Sequence, residues 1–150
     1  VAEHENNSLD WKTVAAIEKD LRYISGIIKQ KGREILNNYG ITPPQFVAMQ
    51  WLFEEGDMTI GELSNKMYLA FSTTTDLIDR LEKNRLVKRT KDEKDRRVVR
   101  VQLLEEGVRI IDEVIKKRQQ YLAGLLVNFE PEEREELQQY LQKLHRYMKE

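Results

Sequence analysis

Ser72, Thr73, Thr75, Asp76, Arg80 and Lys83 crowd into one short stretch, Phe71 to Leu86. Within it Thr74, Leu77, Ile78 and Leu81 fall at i, i+3, i+4 and i+7, the spacing of one apolar helical face. Ser72, Asp76, Asp79 and Lys83 then occupy the opposite face, with Thr73, Thr75 and Arg80 on its flanks. Short hydroxyl side chains, carboxylates and cations are the groups that hydrogen-bond base edges and phosphate oxygens. Taken alone, such a face is usually only solvated. The adjoining residues change that reading, because Lys88, Arg89, Lys91, Lys94, Arg96, Arg97 and Arg100 come next. From Arg80 to Arg100 there are ten Lys or Arg against four Asp or Glu, a balance of +6 in a chain whose net charge is −1. A cationic patch on a near-neutral protein is the electrostatic footprint of a polyanion partner.

Other chemistry is poorly served. Cysteine is absent, which excludes disulfides, thiolate nucleophiles and cysteine-ligated zinc, and suits a reducing cytoplasm. His4 lies in the polar segment Val1 to Ser8, expected to fray, and His145 reads as a partly exposed helix residue. Acid–base catalysis therefore has little to work with, and no enzyme is expected. Glu132, Glu133, Glu135 and Glu136 form a carboxylate cluster, but carboxylates suit the start of a helix without any metal. The seven glycines are scattered and form no phosphate loop, so no cofactor or metal is expected. No apolar run approaches the ~18 residues of a membrane span, and the start has no signal-peptide pattern. With a pI near 6.2, nucleic-acid binding must be local rather than spread over the surface. At 150 residues the expectation is one domain, or one domain with helical extensions.

Long helices must hold the polar face. Ser8 is the expected N-cap of a helix reaching Asn38, with Val14, Ile17, Leu21, Ile24, Ile28, Ile35 and Leu36 recurring at helical steps. Its N-terminal half has more apolar face than a small domain can cover, so it reads as a dimer surface. Gly26 and Gly32 inside it mark a bend or a close crossing. Asn37, Asn38 and Gly40 end it. Thr42-Pro-Pro-Gln45 and Thr59-Ile-Gly-Glu62 are capping boxes that open two further helices. The first is heavily apolar and stops at Gly56. The second points Leu63 and Met67 inward, and Met67 to Ala70 turns into the polar-faced helix. Leu86 to Thr90 and Arg97 to Leu103 read as strands, the latter with Val99, Val101 and Leu103 alternating with Val98, Arg100 and Gln102. A charged loop, Lys91 to Arg96, joins them into a wing. The next helix spans Leu104 to about Val127. Pro131 opens the last helix, capped by Asn128 or Glu130, with Leu137, Leu141, Leu144 and Met148 as its expected buried stripe. There is no internal repeat and no low-complexity linker. The division is 1–38 for an N-terminal dimerisation helix, 41–103 for a DNA-binding lobe and 104–150 for C-terminal dimerisation helices.

The residues Ile41-Thr-Pro-Pro-Gln-Phe46, Leu63-Ser64, Ser72-Thr-Thr-Thr75, Leu77-Ile-Asp-Arg-Leu-Glu-Lys83, Leu86-Val-Lys-Arg89 and Asp95-Arg-Arg97 resemble the multiple-antibiotic-resistance-regulator (MarR) family of winged helix-turn-helix repressors. The flanking helices match that family's order of elements. The resemblance implies a mainly α fold with a small β-wing, a winged helix-turn-helix with long terminal dimerisation helices. It implies a homodimer joined through its first, fifth and sixth helices. It also implies a palindromic double-stranded operator, the helix Phe71 to Asn84 in the major groove and the wing tip in the minor groove. Ser72, Thr73 and Thr75 correspond by position to base- or phosphate-contacting residues. Asp95 and Arg97 correspond to the wing pair, in which the Asp braces the tip and the Arg enters the groove; Lys94 and Arg96 flank them. A small-molecule pocket between dimer region and lobe is implied as well. Tyr39, Phe46 and Trp51 are aromatics that could line it for a small aromatic effector, although a helical aromatic stripe is more often core.

Several positions depart from the family pattern. Asp76 stands where Arg or Lys is common, which weakens phosphate attraction there and favours a cytosine amino group. Ala70 replaces a capping Ser, and Leu104 a capping Thr. Arg85 replaces a turn Gly, so either Asn84 or Arg85 takes the left-handed conformation. The competing reading is a winged helix used only to bind proteins, against which the +6 segment and the polar helix face both speak.

Overall fold

The computed structural model describes residues 8–150. His4 and most of the N-terminal segment lie outside the described residues. The elements run in the order α1 (Trp11–Asn37), α2 (Pro43–Glu55), β1 (Met58–Thr59), α3 (Ile60–Met67), α4 (Phe71–Lys83), β2 (Val87–Lys91), β3 (Val99–Leu103), α5 (Glu105–Leu126) and α6 (Pro131–Met148).

Local side-chain chemistry sets most of these boundaries. Asp10, not Ser8, caps α1: its carboxylate accepts from the Lys12 N–H and the Thr13 hydroxyl, each at 3.0 Å. Asp is at least as good an N-cap as Ser, and it stands next to the first apolar residue. Gly40, at φ 66°, turns the chain out of α1. At α2 the Thr42 hydroxyl accepts from the Gln45 N–H at 3.3 Å and the Gln45 side chain accepts from the Thr42 N–H at 3.1 Å. Thr59 and Glu62 repeat the reciprocal bonds at α3, at 3.0 and 3.2 Å. Both capping boxes stand as the sequence predicts. Glu130 precedes α6, and its N–H donates to the Glu133 carboxylate at 2.8 Å.

The wing is part of a three-stranded antiparallel sheet in the order β1-β3-β2. β1 is too short to show any alternation in sequence. It pairs Met58 with Val101 and Thr59 with Arg100, while β2 pairs Arg89 with Val101 on the other side. Val101 is fully buried beneath this sheet.

One hydrophobic core unites α1 to α5 behind the sheet. Phe46, Met49, Leu63, Ile78, Leu81, Val87, Ile111 and Val114 are each within 2% of complete burial. The core crosses the divisions expected at 38/41 and 103/104, because Ile35 and Leu36 of α1 and Ile110, Ile111 and Val114 of α5 belong to it. A glycine is needed where α5 meets the base of the wing. A Cβ on Gly107 would lie 2.5 Å from Leu103 Cδ1 and 2.7 Å from the Leu86 carbonyl oxygen. That carbonyl already accepts from the Leu104 N–H at 2.9 Å. At Gly32 the nearest atom to such a Cβ is 3.9 Å away, and at Gly26 nothing lies within 4 Å, so neither marks a close crossing inside the chain.

The last helix departs from expectation. α6 buries none of its residues: Leu141, Leu144 and Met148 are exposed and Leu137 is only half-buried. The stripe exists, but nothing within the described residues covers it. The outer part of α1 is alike, with Ile17, Leu21, Ile24 and Ile28 all exposed.

Candidate nucleic-acid interface

α4 presents the polar face that the spacing predicts. Thr74, Ile78 and Leu81 are buried, whereas Ser72, Thr73, Asp76, Arg80 and Lys83 are exposed. Ala70 provides no side-chain cap, so the first-turn N–H groups of α4 have no side-chain acceptor from that position. The hydroxyls are partly committed. Thr74 donates to the Ala70 carbonyl at 3.1 Å, and Thr75 to the Phe71 carbonyl at 2.9 Å. Thr75 is half-buried, and its hydroxyl, already donating, offers acceptor lone pairs rather than a free donor. Asn84 keeps φ −88° and Arg85 takes the left-handed conformation at φ 61°, which resolves the turn after α4. Tyr68, at φ 55° and 95% exposed, makes the corresponding turn before it.

The wing tip is built on two carboxylates rather than one. Asp92 Oδ2 accepts from the N–H groups of Lys94 and Asp95 at 3.1 and 3.0 Å, and Oδ1 accepts from Arg100 Nε at 2.7 Å. The Arg100 bond, followed by these backbone donors, holds the Asp92 carboxyl below its ordinary pKa. Asp95 accepts from the Arg97 backbone N–H at 3.1 Å and from its Nε at 3.0 Å. Those bonds lower the Asp95 pKa in turn, the side-chain bond most. Arg97 therefore stands at the tip, 91% exposed along its side chain and steered by Asp95. Lys94 and Arg96 are exposed beside it.

Not every cation in the patch is free. Arg89 ion-pairs with both Asp79 and Glu82 of α4, and Arg100 with Asp92. A sequence signal was available for Arg89. It shares a strand face with buried Val87, and a cation on an inward face requires a carboxylate partner. Lys88, Lys91, Lys94, Arg96 and Arg97 remain exposed along the wing.

Tyr39, Phe46 and Trp51, the expected pocket aromatics, are not gathered round a pocket. Phe46 is 1% exposed and belongs to the core. Tyr39 and Trp51 are half-buried and pack on its edge. A cleft of about 460 Å³ lies instead between α1 and α5, lined by Ile28, Gly32, Leu36, Pro43, Arg118 and Tyr121. The Arg118 guanidinium stacks 5.0 Å above the Phe46 ring, so Phe46 floors this region without lining it. Among the described residues no cluster of His, Asp or Glu is arranged to hold a metal, and no helix is long and apolar enough to cross a membrane.

Residues 41–99 match the sequence pattern of the MarR family. The uncharacterised HTH-type transcriptional regulator YsmB of Bacillus subtilis (strain 168) is 66% identical over 136 residues, covering 91% of this chain and 93% of that protein. The HTH-type transcriptional repressor MdtR of the same organism is 31% identical over 73% of this chain and 71% of its own. A solved MarR family protein from Bacillus stearothermophilus superposes with a TM-score of 0.85 at 60% identity, over 95% of this chain and all of that one. Likeness along almost the whole length, together with a helix-turn-helix whose second helix lies beside a β-wing, places the chain in the MarR family of winged-helix transcriptional regulators.

Proposed function

We propose that the protein is a homodimeric repressor that binds a palindromic operator, with α4 in the major groove and the wing tip in the adjacent minor groove. The observation that carries this reading is the joint exposure of two surfaces: the polar face of α4 and the wing tip, where Arg97 is 91% exposed along its side chain. Ser72, Thr73 and Thr75 would meet base edges or phosphates from α4, and Asp76 a cytosine amino group. Arg80, Lys83, Lys94 and Arg96 would hold phosphates, and Arg97, steered by Asp95, would enter the narrow groove.

The uncovered apolar faces support the dimer. Ile17, Leu21, Ile24 and Ile28 of α1, Leu122 and Leu125 of α5, and Leu141 and Leu144 of α6 are all more than 40% exposed. Stripes of large apolar side chains left in water on three helices are the mark of an interaction surface. A two-fold dimer presents two reading heads, which calls for half-sites about one helical turn apart. Repression is supported by the relative MdtR, which is named a repressor.

Relief by an effector is assigned to the α1–α5 cleft. Ile28, Leu36, Leu122 and Tyr121 suit an aromatic ring, and Arg118 suits a carboxylate. A ligand there shifts the spacing of the two lobes only by its difference in affinity for the two arrangements. Retention of sheared genomic fragments on the protein, followed by sequencing, tests the whole reading. An enriched inverted repeat, bound with a logarithmic salt slope of about −0.9 per phosphate neutralised, is the expected result. Salt-independent retention with no enriched sequence would leave the fold to protein–protein contact alone.

A further inference from the structure

The guanidinium of Arg89 occupies an unusual place. It sits mid-way along β2, opposite Val101, with its side chain 25% exposed. Its Nη1 donates to Glu82 Oε1 at 2.8 Å, and its backbone N–H donates to Glu82 Oε2 at 3.1 Å. Its Nη2 bonds Asp79 and reaches the Thr75 carbonyl at 3.5 Å. One strand residue thus grips three successive turns of α4. Below it, the hinge between α4 and β2 is fixed by the core, through buried Leu81, Leu86 and Val87 and the Leu86 N–H bond to the Leu81 carbonyl at 3.0 Å. Above it, β1 pairs Thr59 with Arg100 on the far side of β3, and beyond that rung the wing is held, among the described residues, by Asp92 with Arg100 and Asp95 with Arg97. Arg89 is the outermost point at which the wing is tied to the helix.

We propose that Arg89 is a positioning residue: by clasping Asp79 and Glu82 it fixes the angle between the wing and α4, and so sets where Arg97 falls relative to the groove-facing side chains. It is not itself a phosphate contact, because its charge is satisfied by two carboxylates. Arginine suits the role and lysine does not, since only a planar fork can bond both carboxylates in fixed directions. The role in DNA binding rests on the function proposed above; the fixed angle does not.

The test has one arm without DNA and one with it. Without DNA, residual dipolar couplings of the β2–β3 amides and those of α4 should fit one alignment in the parent. In Arg89→Met the wing couplings should shrink and no longer fit. Couplings that still fit in the variant overturn the proposal. With DNA, Arg97→Ala should weaken operator binding by about tenfold in the parent. In the Arg89→Met background the same change should cost less than about twofold, because a wandering wing has already lost that contact. Equal losses in both backgrounds overturn the proposal. A parent in which Arg97→Ala costs nothing defeats the wing's assignment to DNA, and the DNA-free arm still judges Arg89.

Arg89→Met leaves two carboxylates unpaired and is open to misfolding or repulsion of DNA. The triple variant Arg89→Met/Asp79→Asn/Glu82→Gln removes those charges and carries the same measurements. If it behaves like the parent in both arms, only neutralisation mattered and the clasp is refuted. If its wing is loose and insensitive to Arg97→Ala, the clasp is upheld.

Discussion

Replacing Gly107 with alanine should destabilise the protein, although alanine is ordinarily the better helix residue by about 1 kcal/mol. The added methyl would meet Leu103 Cδ1 at 2.5 Å and the Leu86 carbonyl at 2.7 Å. The leucine methyl can swing aside. The carbonyl cannot, because moving it strains its 2.9 Å bond from the Leu104 N–H, at the joint where the wing enters α5. Overpacking of this kind costs about 1–3 kcal/mol, more than the helical gain. At about 2–4 °C per kcal/mol for a chain of this size, the melting temperature should fall by several degrees. Thermal denaturation at a fixed protein concentration measures it, since the melting of any oligomer depends on concentration. Gly61→Ala is the control. A methyl there meets nothing nearer than the Thr59 hydroxyl at 3.9 Å, so that variant should be neutral or slightly more stable. A Gly107→Ala protein as stable as its parent would show that the joint yields freely, and the reasoning from close contact would be wrong.

Other expectations rest on single features. Arg85→Gly should raise stability by about 0.5–1 kcal/mol in urea, since a left-handed backbone at φ 61° strains any residue with a Cβ; a lower midpoint would refute it. Asp92 has its pKa depressed chiefly by Arg100, so the wing-tip stability it supplies is complete above the ordinary carboxylate value and fades as pH falls below about 4. NMR titration of the Asp92 carboxyl should show that low value, and a normal or raised one would remove the brace. Leu144→Glu places a charge on the uncovered stripe of α6 and should convert dimer to monomer in sedimentation, leaving the core of the lobe intact. An unchanged sedimentation coefficient would exclude α6 from the interface.

What can be read from the sequence is what neighbouring residues settle among themselves. Thr42 with Gln45 and Thr59 with Glu62 lie within one helical turn, so their capping boxes are legible before any fold is known. The polar face of α4 emerges from spacing alone. Contacts between distant segments are not legible. β1 exists only because β3 comes back to meet it, and although Arg89 shares a strand face with Val87 and so calls for a carboxylate, the partners are settled only when Asp79 and Glu82 come round beside it. The α6 stripe is apolar as expected but not buried, because periodicity names a face and not what covers it. The cleft escapes the sequence for a related reason: its walls come from α1 and α5, far apart along the chain, and among the described residues the one aromatic that lines it is Tyr121, while Phe46 is spent on the core.

Thr59 belongs to two structures at once. Its hydroxyl starts α3 by accepting from the Glu62 N–H, and its backbone is the rung that pairs with Arg100 in the sheet. Selection therefore cannot tune one role without touching the other. The residue must tolerate an extended main chain and also offer a short acceptor oxygen, which leaves threonine, with serine a weaker second, as the practical alphabet at that site.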